Sequence, residues 1–305
     1  MDSGVAQVQQ PKLPSVGGAG KTLLKGLART RVNGWALLLL PGCLFIVVFF
    51  FAPLVNMVWR SLTDPGPSNY ATFAETGTYA RVLWVTIRTA LLVTVASLIL
   101  GYPYAYMMIK AGGKLRLALV GLVLLPFWSS ILVRTYAWTV LLQDTGVINS
   151  VLMKLGLISD SLPLMRNDLG VTIGMTQILL PMMVFPIYAV MRRIDADLLP
   201  AAEGLGARPS RAFVRVFMPL SMPGVFAGSL LVFVVSLGFY ITPALLGSPS
   251  NTMFSVIVAH TIQQQVDFGL GSALGVILLV VTLVLLWIGS RVVRLGDVFG
   301  YSSEQ

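Results

Sequence analysis

Long segments without a single charged residue constrain this chain more than any other feature of its sequence. No Asp, Glu, Lys or Arg occurs between Arg215 and Asp267, a stretch about twice the length that one helix needs to cross a bilayer. Residues 35–59 are also uncharged and carry Trp near both ends, where aromatic rings favour the membrane interface. Only 11% of the 305 residues are charged, against about 25% in ordinary soluble domains. The chain is therefore predicted to be an all-α integral membrane protein.

Six apolar segments have the roughly 20 residues that a transmembrane helix requires. The predicted spans are residues 35–59, 85–109, 117–142, 169–191, 220–246 and 271–290. Turn-forming residues from Pro243 to Asn251 end the fifth span. Residues 34–305 are thus predicted to form one membrane domain of about six helices, and the polar residues 1–33 a disordered cytoplasmic tail.

Lysine and arginine are concentrated in alternate connections between these segments. If the N-terminus is inside, about fifteen of the 21 basic residues fall in the tail, the turn 110–116, the loop 192–218 and the C-terminal end. Such an asymmetry is typical of cytoplasmic loops and predicts that both termini are cytoplasmic. The net charge of +9 does not indicate nucleic acid as a partner, because the basic residues form no extended stripe.

The loop between the fourth and fifth segments, residues 192–218, has the clearest local pattern. Asp197 suits the positive end of a short helix, and Pro200 fits its first turn. Gly206 is a natural stop, and Pro209 can open a second helix. Residues 201–202 are both alanine and leave a smooth surface on which another protein can dock closely. The loop is therefore predicted to be a helix–break–helix docking element.

This loop resembles the signature of the permease subunits of type I ABC importers, which reads Glu-Ala-Ala, three residues, Gly, nine residues, and Ile-x-Leu-Pro. Residues 216–219, Val-Phe-Met-Pro, match its tail. Proline stands where the signature has Glu, and a Glu follows the alanines instead. The resemblance implies a coupling site for a partner ATPase, composed of Pro200, Ala201, Ala202, Glu203, Gly206 and Ala207.

Four further motifs resemble the spermidine/putrescine permeases of that superfamily. They are Leu100-Gly-Tyr-Pro-Tyr104, Leu125-Pro-Phe-Trp-Ser129, Leu132-Val-Arg-Thr-Tyr-Ala-Trp138 and Gly146-Val-Ile-Asn149. The resemblance extends over residues 34–293, nearly the whole predicted membrane domain. The residues predicted to line a substrate path or gate are Trp128, Arg134, Tyr136, Trp138, Phe239 and Tyr240.

The reasons for placing charged and aromatic residues on this path differ, and some of these residues have an alternative role. Charge at membrane depth usually faces the bundle interior or a watery cavity, and Arg134 is predicted to do so. For Arg88, snorkelling to the headgroups is the alternative. For Phe239 and Tyr240, the alternative is packing or lipid contact.

The resemblance implies a machine of several subunits in a bacterial cytoplasmic membrane. Its parts would be a second permease subunit, a dimer of ATPase subunits that uses ATP and Mg, and a periplasmic solute-binding protein. This chain is expected to hold no cofactor or metal, because His260 and Cys43 are its only histidine and cysteine. The glycine-rich segment 17–22 resembles a phosphate-binding loop, but Ser15 stands where that motif needs its first Gly.

Several alternatives remain open at this stage. The same machine could carry an amino acid, an opine or a phosphonate instead of a polyamine. Acids on the predicted outer side permit a cationic solute, whereas Arg88 and Arg134 count against a strongly cationic path. An ion-coupled secondary transporter would be expected to hold acids within its spans, and the acids here lie in tails, loops and span ends. An intramembrane enzyme would need a nucleophile with a base or a metal cluster, which the sequence does not offer.

Overall fold

The computed structural model describes residues 34–298, with side chains from Leu40 to Arg291. Over this range all regular structure is helical. The predictions made for residues 1–33, a disordered tail and its glycine-rich segment, lie outside the described residues.

The helices follow one another with short connections. In chain order they are α1 Gly34–Thr63, α2 Ser68–Glu75, α3 Gly77–Lys110, α4 Gly113–Leu124, α5 Ile131–Leu142, α6 Val147–Lys154, α7 Asp168–Met191, α8 Leu198–Gly204, α9 Pro209–Ala212, α10 Met218–Leu237, α11 Ile241–Leu246, α12 Phe254–Gln263 and α13 Phe268–Val298. Short 3₁₀ segments occupy Leu125–Trp128 and Pro249–Asn251, and a π-helical turn, Phe213–Phe217, joins α9 to α10.

Five helical stretches within the described part are long and apolar enough to cross a membrane. They are Leu40–Thr63, Gly77–Lys110, Asp168–Met191, Pro209–Leu237 and Phe268–Arg291. A sixth candidate is a bent pair, Gly113–Trp128 with Ile131–Lys154, whose two halves meet at 99°. The fold is the predicted all-α membrane bundle of about six spans.

Two predicted spans are wrong in shape. The third, residues 117–142, is not one helix, because Pro126 directs a 3₁₀ turn that stops at Trp128, and the chain then changes direction before Ile131. The fifth, residues 220–246, ends at Leu237 with Gly238 as its C-cap, and α11 is a separate short helix. In both cases the segment stays apolar across the break, so hydropathy alone does not reveal it.

The core is formed by α3, α7 and α10, with α7 packed against both of the others. Two glycines four residues apart on α10 allow a close approach to α7, as small residues do between helices in membranes. A Cβ at Gly224 would lie 2.9 Å from Ile187 Cα, and one at Gly228 would lie 3.0 Å from the Met183 carbonyl oxygen. Met183 and Ile187 are fully buried in this contact.

Helix α1 belongs to two compact units, which divide after Val55. In the first unit the apolar side chains from Leu40 onward are exposed except for half-buried Leu54, and the ring centroids of Phe45 and Phe49 lie 4.4 Å apart. Exposed apolar surface of this kind suits hydrocarbon rather than water. Cys43 lies on this exposed helix as a free thiol.

Candidate functional site

The loop between α7 and α10 contains the short helix that the sequence predicts. Helix α8 begins after Asp197, whose backbone N–H donates to the Asp195 side chain at 3.0 Å. Pro200 occupies the first turn of α8, where a missing N–H costs nothing. Pro209 opens α9, again as predicted. The helix–break–helix form is therefore confirmed.

The end of α8 depends on Gly206. The Gly206 N–H donates to the Glu203 carbonyl at 2.9 Å, and the Ala207 N–H donates to the Ala202 carbonyl at 3.1 Å. These two bonds form a Schellman motif, which places the glycine in the left-handed region at φ +91°. A Cβ there would have nothing within 4 Å, so only the backbone conformation demands glycine.

The predicted coupling residues mostly face outward. Pro200, Ala201, Glu203 and Gly206 are exposed, whereas Ala202 and Ala207 are half-buried. Sequence reasoning missed Leu205, which is 92% exposed and is the most exposed of the large apolar side chains. Its position between two glycines at a helix end could have indicated it. An apolar side chain this exposed on a polar loop is typical of a protein contact.

The loop is also anchored to the bundle. Leu199 of α8 is half-buried and packs against the apolar core, and α8 packs against α9 and the π-turn. Helix α8 thus has an exposed strip on one side, and its other side is fixed to the bundle.

A second group of predicted residues lies around the bend between α4 and α5. Trp128 is 81% exposed and Tyr136 is 66% exposed, so both present ring faces at the surface of the chain. Arg134 is half-buried, and its Nε is buried without a hydrogen-bond partner among the described residues. Two aromatic rings and one uncompensated cation therefore mark this bend.

Trp138 has a packing role in this structure. Its Nε1 donates to Gln177 Oε1 of α7 at 3.3 Å, and the side chain packs against the apolar core. One turn away, the hydroxyls of Thr135 and Thr242 lie 3.1 Å apart and join α5 to α11. Gly174 of α7 makes room for this contact, since a Cβ there would lie 2.9 Å from Thr242 Cγ2.

Phe239 and Tyr240 occupy the break between α10 and α11. Phe239 is half-buried against the core, and its carbonyl accepts a hydrogen bond from Ser255 Oγ at 2.6 Å. Tyr240 is 39% exposed. The break that carries them lies beside α5, because the Thr135–Thr242 contact joins α5 to α11. The described part of the chain contains no cluster of metal-ligating side chains.

Arg88 is the one basic residue with an ionic partner in the described part of the chain. Its Nη1 lies 3.5 Å from Asp168 Oδ2, at the first residue of α7. This contact links α3 to α7, although a mostly exposed pair of this kind contributes little stability.

Five apolar spans, a sixth bent one and an exposed helical loop, all within the described residues, are typical of a polytopic membrane transporter. Residues 97–295 match the family described as the inner membrane component of binding-protein-dependent transport systems. The chain belongs to this family and is the permease subunit of an ABC importer in the inner membrane.

Relatives of known name match most of the chain. The spermidine/putrescine transport system permease protein PotB of Haemophilus influenzae is 34% identical over 217 residues, which cover 71% of this chain and 76% of the relative. PotB of Escherichia coli K12 is 33% identical over 272 residues, covering 86% and 96%. Among solved structures, a chain of a bacterial alginate ABC transporter, crystallised with its pentasaccharide-bound periplasmic protein, aligns with a TM-score of 0.68 at 20% identity, covering 87% of this chain and 95% of that one. This last likeness concerns the fold.

Proposed function

We propose that this chain forms half of the translocation path for a polyamine such as spermidine or putrescine. A second permease subunit supplies the other half, a periplasmic binding protein delivers the solute, and a dimer of ATPase subunits hydrolyses Mg-bound ATP. No covalent step is assigned to this chain. The named relatives support the solute class, because two of them are spermidine/putrescine permeases that match this chain along most of its length.

The orientation that fits this function has both termini in the cytoplasm. The loop with α8 then lies on the cytoplasmic side, which we call the inner end, and α6 and α12 lie at the outer end. A reporter that is active only outside the cytoplasm should be active when fused after Ser68 or Ser250 and silent when fused after Lys114 or Arg208. The basic-residue asymmetry motivates this expectation. The reverse activity pattern would overturn the orientation.

The single observation that carries the coupling role is the geometry of α8. Its exposed strip offers a small contact at Ala201, a charged one at Glu203 and an apolar one at Leu205, and its other side is anchored in the bundle. Closure of the ATPase dimer moves this strip, and because α8 is fixed to the π-turn, the movement reaches α10.

Gly206→Val tests this role. A β-branched residue at φ +91° costs about 1–3 kcal/mol of backbone strain, so the Schellman end of α8 is lost and the docking strip is displaced. The variant is expected to assemble, while spermidine-loaded binding protein no longer stimulates ATP hydrolysis in reconstituted vesicles. Gly204→Ala is the matched control, because Gly204 is helical, has open space around it and has no positive φ. Full stimulation of an assembled Gly206→Val complex would exclude the loop as the coupling element.

One observation favours a second solute class for the same machine. Arg134 has no acidic partner among the described residues, and an unpaired cation near membrane depth fits a solute with an acidic group, such as an amino acid, an opine or a phosphonate. Trp128 and Tyr136 favour a cation instead, because exposed aromatic faces attract cations.

Arg134→Gln separates the two classes. For a polyamine, removing the repelling charge leaves the apparent KM for uptake unchanged or lowers it. For an acidic solute, losing the guanidinium raises the KM by about tenfold, the size of one charge-assisted hydrogen bond. Screening spermidine, an amino acid mixture and a simple phosphonate for thermal stabilisation of the partner binding protein gives an independent answer.

A further inference from the structure

The helix that leaves the coupling loop contains one inserted residue. Between α9 and α10, at Phe213–Phe217, the Met218 N–H donates to the Phe213 carbonyl five residues back instead of four. Such a π-turn widens the helix locally, and π-turns recur at functional sites. Because the flanking residues remain helical, Pro209–Leu237 is still one continuous helical stretch, and the π-turn lies near its N-terminal end.

Four aromatic rings enclose this π-turn. Phe213 and Phe217 stack with ring centroids 5.5 Å apart and planes at 20°. Tyr106 of α3 meets both of them edge-on, at 5.3 Å and 80° for Phe213 and at 5.3 Å and 77° for Phe217. Tyr102, one turn earlier on α3, meets Phe213 edge-on at 6.4 Å. We call these four rings the aromatic clasp.

Polar contacts close the clasp above the inserted residue. The hydroxyls of Tyr102 and Ser221 lie 2.9 Å apart, and Ser221 Oγ also contacts the Met218 carbonyl at 2.8 Å. Ser221 is fully buried. At the other end, the Lys110 ammonium lies 5.7 Å from the centroid of the Tyr106 ring. The π-turn is therefore held from both sides, and α3 supplies Tyr102 and Tyr106, the two rings that meet it across the helix interface.

The clasp stands between the coupling loop and the helix core. Helix α8 packs against the π-turn, and the π-turn continues into α10, which packs against α3 and α7. A force on α8 therefore reaches α3 through the rings of Phe213 and Tyr106. Two discrete positions are available to a helix with one extra residue, since the insertion can shift along the helix by exchanging one set of backbone hydrogen bonds for another.

We propose that Tyr106 is a positioning residue for transport, which fixes the register of the π-turn and passes the movement of the coupling loop to α3. This proposal rests on the coupling role of α8 given above and adds the route by which that role reaches the solute path. The Tyr106 ring carries this function, and its hydroxyl does not, because the contacts with Phe213 and Phe217 are ring-to-ring, at interplanar angles of 80° and 77°.

The test compares solute imported per ATP hydrolysed in reconstituted vesicles, with spermidine-loaded binding protein as the probe. Tyr106→Leu removes both edge contacts and is expected to lower this ratio about tenfold, the size expected from losing two aromatic pairs. Tyr106→Phe keeps the ring and is expected to import as much solute per ATP hydrolysed as the wild type. Phe213→Leu removes the same contacts from the loop side and supplies the answer if Tyr106→Leu does not assemble.

Tyr104→Leu is the matched control. Tyr104 lies on the same helix, and its hydroxyl donates to the Leu119 carbonyl of α4 at 2.8 Å, outside the clasp. For Tyr104→Leu, the solute imported per ATP hydrolysed is expected to stay within about twofold of the wild type. Losing this hydrogen bond affects only the stability of the contact between α3 and α4. An equal fall for Tyr104→Leu and Tyr106→Leu would mean that α3 is merely destabilised, and the proposal would be wrong.

Gly206→Val, measured in the same vesicles, separates this proposal from the coupling role itself. If Gly206→Val abolishes stimulation and both Tyr106→Leu and Phe213→Leu keep the wild-type ratio, the loop couples by another route and only the clasp is excluded. If Gly206→Val keeps full stimulation of ATP hydrolysis, the coupling role of α8 is excluded. The proposal for Tyr106 is then excluded as well, because no movement of α8 would reach the aromatic clasp.

Discussion

The turns at the two ends of the helix bundle differ in how closely their glycines approach the main chain of neighbouring residues. At the outer end, four glycines lie directly against a backbone carbonyl, so that a Cβ would collide with main chain. They are Gly146, Gly170, Gly247 and Gly269. Other outer glycines, Gly77 and Gly156, have nothing within 4 Å of a Cβ position. At the inner end, no described turn glycine lies against main chain, and four have nothing within 4 Å of a Cβ position. They are Gly112, Gly113, Gly204 and Gly206.

Polar side chains follow the same division. At the outer end, buried groups tie separate segments together. The Phe254 N–H donates to Thr86 Oγ1 at 2.7 Å, and Asn69 donates to the Asp64 carbonyl at 2.8 Å. At the inner end, Arg116 caps α3 from its half-buried position by donating to carbonyls, including that of Ala111 at 3.0 Å. Several outer turns are thus closed by contacts with main chain, whereas no described glycine in the inner turns makes such a contact.

The largest expected effect concerns Gly269→Ala. The added methyl group would overlap the Asp64 carbonyl, and the first turn of α13 could no longer pack against the connection between α1 and α2. We expect the free energy of unfolding to fall by about 3 kcal/mol, the upper end of the range for overpacking. The effect is large because a backbone carbonyl cannot move aside as the end of a side chain can. The melting temperature of the detergent-purified chain measures it.

Gly112→Ala is the inner counterpart of that substitution. Gly112 has φ −69°, which any residue adopts, and open space around it. Gly112→Ala should therefore change the free energy of unfolding by no more than about 0.5 kcal/mol. Equal losses for the two variants would contradict the difference between the ends.

A smaller effect is expected from Asn149→Ala at the outer end. This fully buried amide donates to the Leu162 carbonyl at 2.9 Å and accepts from the Leu162 N–H at 3.0 Å. Its loss leaves buried backbone groups unsatisfied and should cost about 2 kcal/mol. Limited proteolysis should then cleave residues 155–165 faster than in the wild type.

Arg116→Ala provides the comparison at the inner end. The carbonyls it releases lie at a helix terminus, where water can replace the guanidinium, so we expect a loss of about 1 kcal/mol. A loss larger than that of Asn149→Ala would mean that the inner turns depend on buried polar contacts as much as the outer turns do.

The last expected effect is a gain in stability. Val266, between α12 and α13, is 64% exposed and has φ +56°, a conformation that a β-branched residue adopts only under strain. Val266→Gly should stabilise the chain by about 1 kcal/mol, which thermal unfolding would detect as a small rise in the melting temperature. A fall would show that the valine side chain makes a contact that outweighs its backbone strain.

The sequence by itself determined the membrane class, the approximate position of the spans and the form of the coupling loop. Spans are readable because hydrocarbon imposes a length and a composition that few other environments require. The end of α8 is readable because a Schellman motif needs a left-handed residue, and glycine accepts that conformation at the least cost. These constraints are local, so a short stretch of sequence carries them.

Tertiary structure alone decided the breaks in two spans, the packing role of Trp138 and the aromatic clasp. The segments around Ser129 and Gly238 stay apolar through their breaks, so hydropathy does not show where each chain segment turns. The hydrogen-bond partner of Trp138, Gln177, lies on a different span, so a local reading of the sequence does not reveal the contact. Tyr106 and Phe213 are more than one hundred residues apart in sequence, and only the packing of α3 beside α10 brings their rings together. In the membrane, apolar side chains satisfy lipid and protein equally, so hydrophobicity cannot tell which of them a neighbouring helix will bury.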